Sequence, residues 1–368
     1  MEVRFFRKDE RELLLEAIDR IWRKNYIYLK APEVLDHLMF QNPYREKFAG
    51  NDNYSVLGMF DSYGKVKGIF AVIPQRLNAF GREYDASVSG ALWAVEEHVN
   101  GLKLISKYLS MDIKMFLTLC LLEKSLTVMK AIGFHEIPNL PRWILVNHPE
   151  ATIQNIASNK ELIPFFPLVK RMSIEQEQYH IEYEIDRVAW DDFYRKFFAP
   201  MMIGVVRDSS FMEWRYKKAP ILSYQFISVV DQQDHCHGLA VIRIESILDG
   251  KYKIGRILEF IAVEEVPSLL LANAILEYDK EVLMWDFYCL SSTTVYGLEC
   301  IGFQRIPEWM DKMMVPTRFQ PIDYEYNKIN GSIYLSNDIE SSIDPISGNK
   351  WYVTRGDGNA EMPTVLNL

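Results

Sequence analysis

Cysteine is scarce in this 368-residue chain. Cys120, Cys236, Cys289 and Cys300 form no Cys-x-x-Cys pair and show no zinc spacing. That excludes a disulfide-stapled scaffold and a zinc-finger framework; three of the four fall in apolar or strand-like runs and read as reduced thiols of a cytoplasmic protein. Positive charge is in deficit as well: 41 Lys and Arg stand against 50 Asp and Glu, a net charge of −9. A nucleic-acid partner, whose phosphates demand a basic surface, is therefore disfavoured. Long apolar runs are missing. The longest nearly apolar run, FLTLCLL at 116–122, has the length of a buried strand, far short of the roughly 20 residues of a membrane helix. The first ten residues are charged and lack the apolar core of a signal peptide. The expectation is a soluble chain that is not exported.

Aromatic residues are plentiful at 13%, which points to large cores or a ring-lined cleft. The length suits two domains better than one, and the sequence repeats itself. IGFHEIP at 132–138 returns as IGFQRIP at 301–307, and Gly133 and Gly302 lie 169 residues apart. The glycines of VKGIFAVI and HGLAVI, Gly68 and Gly238, are 170 apart, each seven residues after an aspartate, Asp61 or Asp231. The alanines of AVEEHV and AVEEVP, Ala94 and Ala262, are 168 apart. Three ordered anchors at nearly one offset predict two copies of one unit.

The periodicity inside each copy predicts a hairpin, a long strand ending at Glu-Glu, a helix, a buried strand, a short helix ending at glycine, and a final strand. The final strands fall in 136–146 and 305–315. Helices are expected beforehand at 9–24 and 31–40 in the first copy, and at about 189–197 and 208–217 in the second. Strands at 3–6 and 179–185 open the two copies.

That order resembles the GNAT acyltransferase superfamily. The family's last helix and strand read N-x-x-S-x-x-L-Y-x-K-x-G-F; EKSLTVMKAIGF (123–134) matches at Ser125, Val128, Gly133 and Phe134, with Lys124 just before Ser125. The family's phosphate loop, Q/R-x-x-G-x-G/A, is similar to HVNGLK (98–103), with Gly101 in place, His98 for Gln or Arg, and Lys103 for the second small residue. The resemblance implies an α+β fold: two consecutive GNAT-like lobes, each a mixed, mostly antiparallel sheet flanked by helices. Residues 1–150 would form an N-terminal lobe with a coenzyme A site. Residues 175–318 would form a second lobe with a degenerate loop, and 319–368 a polar tail packing back on the body. It also implies acetyl-CoA or another acyl-CoA as co-substrate. DSSFMEWRYKKAPILSY (208–224) and WYVTRGDGNAEMP (351–363) resemble segments of bacterial surface-polysaccharide proteins of this superfamily.

Elementary electrostatics separates the two copies. A helix N-terminus offers free N–H groups and partial positive charge to a pyrophosphate, and glycine lets the phosphate approach. The first copy presents Asn100, Gly101 and Leu102, then Lys103 and Lys107 one turn apart. The second presents EEVPSLLLAN, without glycine or cation and with Pro267 where an N–H is wanted. Coenzyme A is expected in the first copy only.

Acyl transfer to an amine needs a base, donors for the oxyanion, and an acid for the thiolate. Glu96 and Glu97 stand at the strand end, where alternation lets only one face a cleft; His98 follows them, and the backbone near Val95 would meet the oxyanion. The bland alternative for the Glu pair is solvated surface. By the resemblance, the acid is a Tyr four residues before the Gly-Phe pair, but Met129 occupies that place and cannot donate a proton. Leu298 occupies the equivalent place in the second copy, with Tyr296 two residues earlier. Trp214, Arg215 and Tyr216 could stack on a ring and hold a phosphate, or equally form a helix with an aromatic core face. His235 and His237 suggest a metal at first sight, yet they fall in a hairpin turn with no third and fourth ligand at workable spacing, so no metal is expected. Turns are read at Asp344-Pro345 and at 356–358.

The leading functional expectation is an acyl-CoA-dependent N-acyltransferase, acetyl in the first instance, acting on a small polar amine such as a nucleotide-linked amino sugar of surface polysaccharide biosynthesis. The alternatives are a Fem-type aminoacyl ligase using charged tRNA, which the negative net charge opposes, and a non-catalytic GNAT-like binding protein.

Overall fold

The computed structural model describes every residue except 158, 171–177, 326–327, 341–342, 344–347 and 364–368; the turn expected at Asp344-Pro345 lies outside the described residues. In chain order the strands are β1 (Glu2–Arg7), β2 (Asn53–Phe60), β3 (Val66–Ala79), β4 (Arg82–Val95), β5 (Met115–Leu119), β6 (His135–Ile137) and β7 (Arg142–Val146). There follow β8 (Tyr179–Glu182), β9 (Ile203–Val205), β10 (Gln225–Asp231), β11 (Cys236–Ile247), β12 (Tyr252–Ala262), β13 (Val282–Tyr288) and β14 (Gln304–Ile306). The last are β15 (Arg318–Phe319), β16 (Ile322–Asp323), β17 (Gly331–Leu335) and β18 (Trp351–Tyr352).

Two mixed sheets result, flanked by helices, in the order β1-β2-β3-β4-β5-β17-β6 and, read the same way, β8-β10-β11-β12-β13-β7-β14. They correspond place for place. Only β4–β5 and β12–β13 run parallel within these two orders. The sixth place of each sheet is filled by a strand from far away in the chain. β7, from the first half, lies between β13 and β14, while β17, from the tail, lies between β5 and β6.

Local chemistry explains why the same elements form twice. In each hairpin an aspartate closes the turn: Asp61 Oδ1 accepts from the amides of Tyr63 and Lys65, and Asp231 Oδ1 from those of Gln233 and His235. His235 and His237 both lean on Asp231 Oδ2, at 3.1 and 3.2 Å, as partners of the turn. Gly133 and Gly302 adopt φ of 95° and 111° directly after their helices, a conformation that costs other residues.

One expected strand is a helix. Residues 305–315 are expected as the last strand of the second copy, but only Arg305 and Ile306 are in a strand, β14, and Glu308–Met314 is helical. The neighbouring place in the sheet is already taken by β7, so the segment has no ladder to join. It buries Met314 against Ile144 and Met284 instead, and Asp311 accepts from Arg142 at 2.7 Å.

The C-terminal segment is held by buried charge. Arg207, without exposed surface, pairs with Glu259 at 2.9 Å and with Asp357 at 2.6 Å. Arg215 donates to the carbonyls of Gly356 and Gly358 and pairs with Glu361 at 3.1 Å. Burial alone would raise the Glu259 carboxyl well above its usual range; the Arg207 guanidinium opposes this, and the nearby Asp357 adds to it.

Candidate functional site

β4 and β5 run in register only from Ser87–Met115 to Gly90–Thr118. At the next residue β4 bulges: Ala71 faces Leu92 and Val72 faces Gly90, leaving Ala91 without a partner on β3. A bulge bends its strand, and here it turns β4 away from β5. The split leaves a cavity of about 220 Å³ between the strands. It passes through the sheet. Phe70, Trp93 and Met129 line it on the face covered by helices Leu102–Leu109 and Glu123–Ala131. Tyr26, Leu92 and Met362 line it on the opposite face.

Phe70 and Trp93 stack with centroids 5.8 Å apart and planes at 21°. Trp93 Nε1 is buried without a hydrogen-bond partner among the described residues. A Cβ on Gly101 would stand 3.0 Å from that nitrogen and 3.1 Å from Val95 Cγ1. Gly101 itself has φ −68°. Glycine is thus required by the close approach of the helix N-terminus to β4, not by a left-handed backbone. Asn100 Oδ1 accepts from the Leu102 amide at 3.1 Å, in the first turn, and Lys103 and Lys107 are exposed along the same helix.

Met129 is fully buried on the cavity wall, and Ser125 stands one turn before it. The place expected to hold an acid therefore does face the cavity, as a thioether. Among the described lining residues there is no Asp, Glu or His. Cys120 reaches the cavity, but burial pushes its thiol above the usual range, so it is not a thiolate at neutral pH. Burial likewise pushes the Tyr26 hydroxyl up to about 12.

The anticipated bases lie off the cavity wall. Glu96 is ion-paired with Lys67 at 2.9 Å and with Arg20, and these contacts hold its carboxyl below the usual range. Glu97 and His98 are exposed in the turn, His98 with φ 64°. Val95 lies opposite Gly68 at the end of the β3–β4 ladder, beyond the stretch at 91–93 that β5 leaves unpaired. Trp214, Arg215 and Tyr216 are corrected outright as ligand contacts: they are 5%, 1% and 1% exposed. Arg215 Nε and Nη2 donate to tail carbonyls, and the Tyr216 hydroxyl donates to Glu259 at 2.6 Å. Their helical spacing signalled a core face. Tyr296 is 43% exposed in helix Tyr296–Cys300 of the second lobe and does not line the cavity.

The second lobe repeats the split. β12–β13 pairing ends at Ile257–Phe287, and Leu258 is the extra residue of a bulge opposite β11. Here the C-terminal segment fills the gap. Phe260 N–H donates to the Tyr352 hydroxyl at 3.0 Å, and the Leu290 amide donates to the Val353 carbonyl at 2.9 Å. The cavity residues Tyr26, Arg23, Arg318 and Asn359 carry no motif; only the fold brings them together.

No helix among the described residues is long and apolar enough to cross a membrane. No protein-family sequence model and no curated protein sequence matches the chain. Solved structures do. A GCN5-related N-acetyltransferase from Anabaena variabilis superposes with a TM-score of 0.56 at 10% identity, over 92% of this chain and 73% of that one. Saccharomyces cerevisiae N-myristoyltransferase, solved with bound myristoyl-CoA and inhibitors, gives 0.51 at 10% identity over 100% and 86%. A conserved Enterococcus faecalis protein of unknown function gives 0.51 at 13% identity, over 78% of this chain but 65% of its own length. At these identities the shared property is architecture: this chain has the two-lobed, GNAT-like fold of N-acyltransferases.

Proposed function

We propose that the chain is an N-acyltransferase that moves a short acyl group from acyl-CoA to a small amine in the first lobe. The cavity through the β4–β5 split carries this reading. It offers β4 backbone at 91–93 that β5 leaves unpaired, an aromatic wall of Phe70 and Trp93, and a helix N-terminus at Gly101 where a pyrophosphate is favoured. The coenzyme would enter from the face of Leu102–Leu109, and the acceptor from the face of Tyr26. At about 220 Å³ the cavity has room for roughly seven water-sized groups, which favours acetyl over a long chain. The second lobe, whose split is filled by Tyr352, has a structural role.

The amine nitrogen attacks the thioester carbonyl carbon, the C–S bond breaks, and the thiolate takes up the proton released by nitrogen. With no carboxylate or histidine among the described residues of the wall and a thioether at Met129, that proton travels through water. The finer assignment we favour is a cytoplasmic enzyme acting on a nucleotide-linked amino sugar; the resemblance of 208–224 and 351–363 to surface-polysaccharide proteins supports it. Calorimetric titration with acetyl-CoA tests the proposal, together with a crystal soak. Binding with density beside residues 98–107 is expected; no binding at millimolar acetyl-CoA overturns it.

A further inference from the structure

On the acceptor face the cavity is lined by Arg23, which is exposed, and by the half-buried Arg318, with Tyr26 and Asn359 beside them. Neither arginine side chain has a hydrogen bond or ion pair with a described residue. In a chain of net charge −9, whose buried arginines are tied to carboxylates or carbonyls, these two arginines line a cavity whose described residues include no acid to pair with them.

The hydrogen bonds around Tyr26 have a fixed direction. Tyr28 donates to Asn359 Oδ1 at 2.8 Å, which leaves the Asn359 amide group to donate from Nδ2 to the Tyr26 hydroxyl at 2.6 Å. The Tyr26 oxygen is therefore used as an acceptor, and its own proton has no acceptor among the described residues. Tyr26 is 4% exposed, so this unspent donor is aimed at the cavity and not at bulk water. Both guanidiniums lie near enough to act on the hydroxyl, each favouring its ionised form, against the stronger effect of burial.

We infer that the acceptor substrate is an amine that also carries an anionic oxygen group, carboxylate or phosphate, and that Arg23, Arg318 and the Tyr26 hydroxyl bind that group. The inference rests on the acyltransferase reading above and adds the class of its acceptor. Guanidinium pairs suit planar carboxylates and phosphates, and a neutral phenol adds one directed donor. Asn359 and Tyr28 are positioning residues that keep Tyr26 a donor. The two cations also disfavour the ammonium form of a nearby amine, so the attacking nitrogen sheds its proton to water without a carboxylate base.

The test is calorimetric titration of the intact chain with two matched pairs, glucosamine 6-phosphate against glucosamine and β-alanine against β-alaninamide, each with and without saturating coenzyme A. The phosphate and carboxylate pairs distinguish the two sources of charge. The charged member of at least one pair is expected to bind at least roughly tenfold tighter. That preference should fall to within about twofold in the double variant Arg23→Gln/Arg318→Gln, and shrink in Tyr26→Phe, with coenzyme A affinity and melting temperature retained. Equal binding of charged and neutral members, a preference that survives the double variant, or displacement of the charged probe by coenzyme A overturns the inference. Failure of coenzyme A to bind instead sinks the acyltransferase reading, and the titrations without it still decide the anion site.

Discussion

Tyr352 is hydrogen-bonded to both polar groups of one peptide residue. Its hydroxyl accepts from Phe260 N–H at 3.0 Å and donates to the Phe260 carbonyl at 3.4 Å. Phe260 lies just past the bulge of β12, where β13 has diverged and the strand edge would otherwise be bare. The corresponding edge of β4 is left open. The lobes share a split and differ in what fills it.

Replacing Tyr352 by Phe therefore leaves a buried N–H without a partner. A loss of about 1–3 kcal/mol in unfolding free energy is expected, measured by urea denaturation, with acetyl-CoA affinity unchanged. A variant as stable as the parent would mean that the edge is satisfied another way.

Gly101→Val pushes a side chain toward Trp93 Nε1 and Val95, 3.0 and 3.1 Å from the Cβ position. The indole must shift into the cavity. Coenzyme A binding should weaken by about tenfold, read by calorimetry. Undiminished affinity would remove Trp93 from the binding wall.

Met129→Leu roughly keeps volume and replaces the thioether with a branched hydrocarbon. Turnover within about threefold of the parent is expected, because a thioether passes no proton. A much larger loss in steady-state assays would show that the sulfur takes part.

His37 and Trp214 bond reciprocally: His37 Nε2 donates to the Trp214 carbonyl at 2.9 Å, and Trp214 Nε1 donates to the His37 carbonyl at 3.3 Å. Burial, with Arg215 nearby, lowers the His37 pKa to about 4. The unfolded chain, with a histidine near pH 6.5, then binds a proton first on acidification. The stability from neutral His37 is complete above about pH 6.5 and is lost as pH falls toward 4, amounting to about 3 kcal/mol. Denaturation curves between pH 7 and 4 should show this slope, and His37→Gln should flatten it.

Arg207→Met removes the cation between Glu259 and Asp357, leaving two buried carboxylates uncompensated. A cost of about 3–5 kcal/mol is expected, together with faster proteolysis of the segment after residue 350. Unaltered cleavage there would show that this ion network does not hold the tail.

Much of the architecture could be read from residue pattern. Asp61 and Asp231 close equivalent turns, Gly133 and Gly302 stop equivalent helices, and alternating apolar runs mark the strands; each depends on neighbours within a few residues. The helix at Glu308–Met314 was missed because its segment is as apolar as a strand, and the strand that displaces it, β7, comes from another part of the chain. Trp214, Arg215 and Tyr216 were misplaced for a related reason. An Arg beside aromatics looks the same whether it meets a ligand or a buried Glu361.

Local order and charge balance are short-range properties, so residue spacing was enough to define most of the elements, their common order along the two copies and the lobe with a glycine at its helix start. The exchange of β7 and β17, the plugging of one split by Tyr352, and the meeting of Arg23, Tyr26, Arg318 and Asn359 at the other were decided only by the folded chain. Those contacts join residues up to 333 positions apart, as between Tyr26 and Asn359, and no local pattern encodes a contact whose partners are chosen by packing.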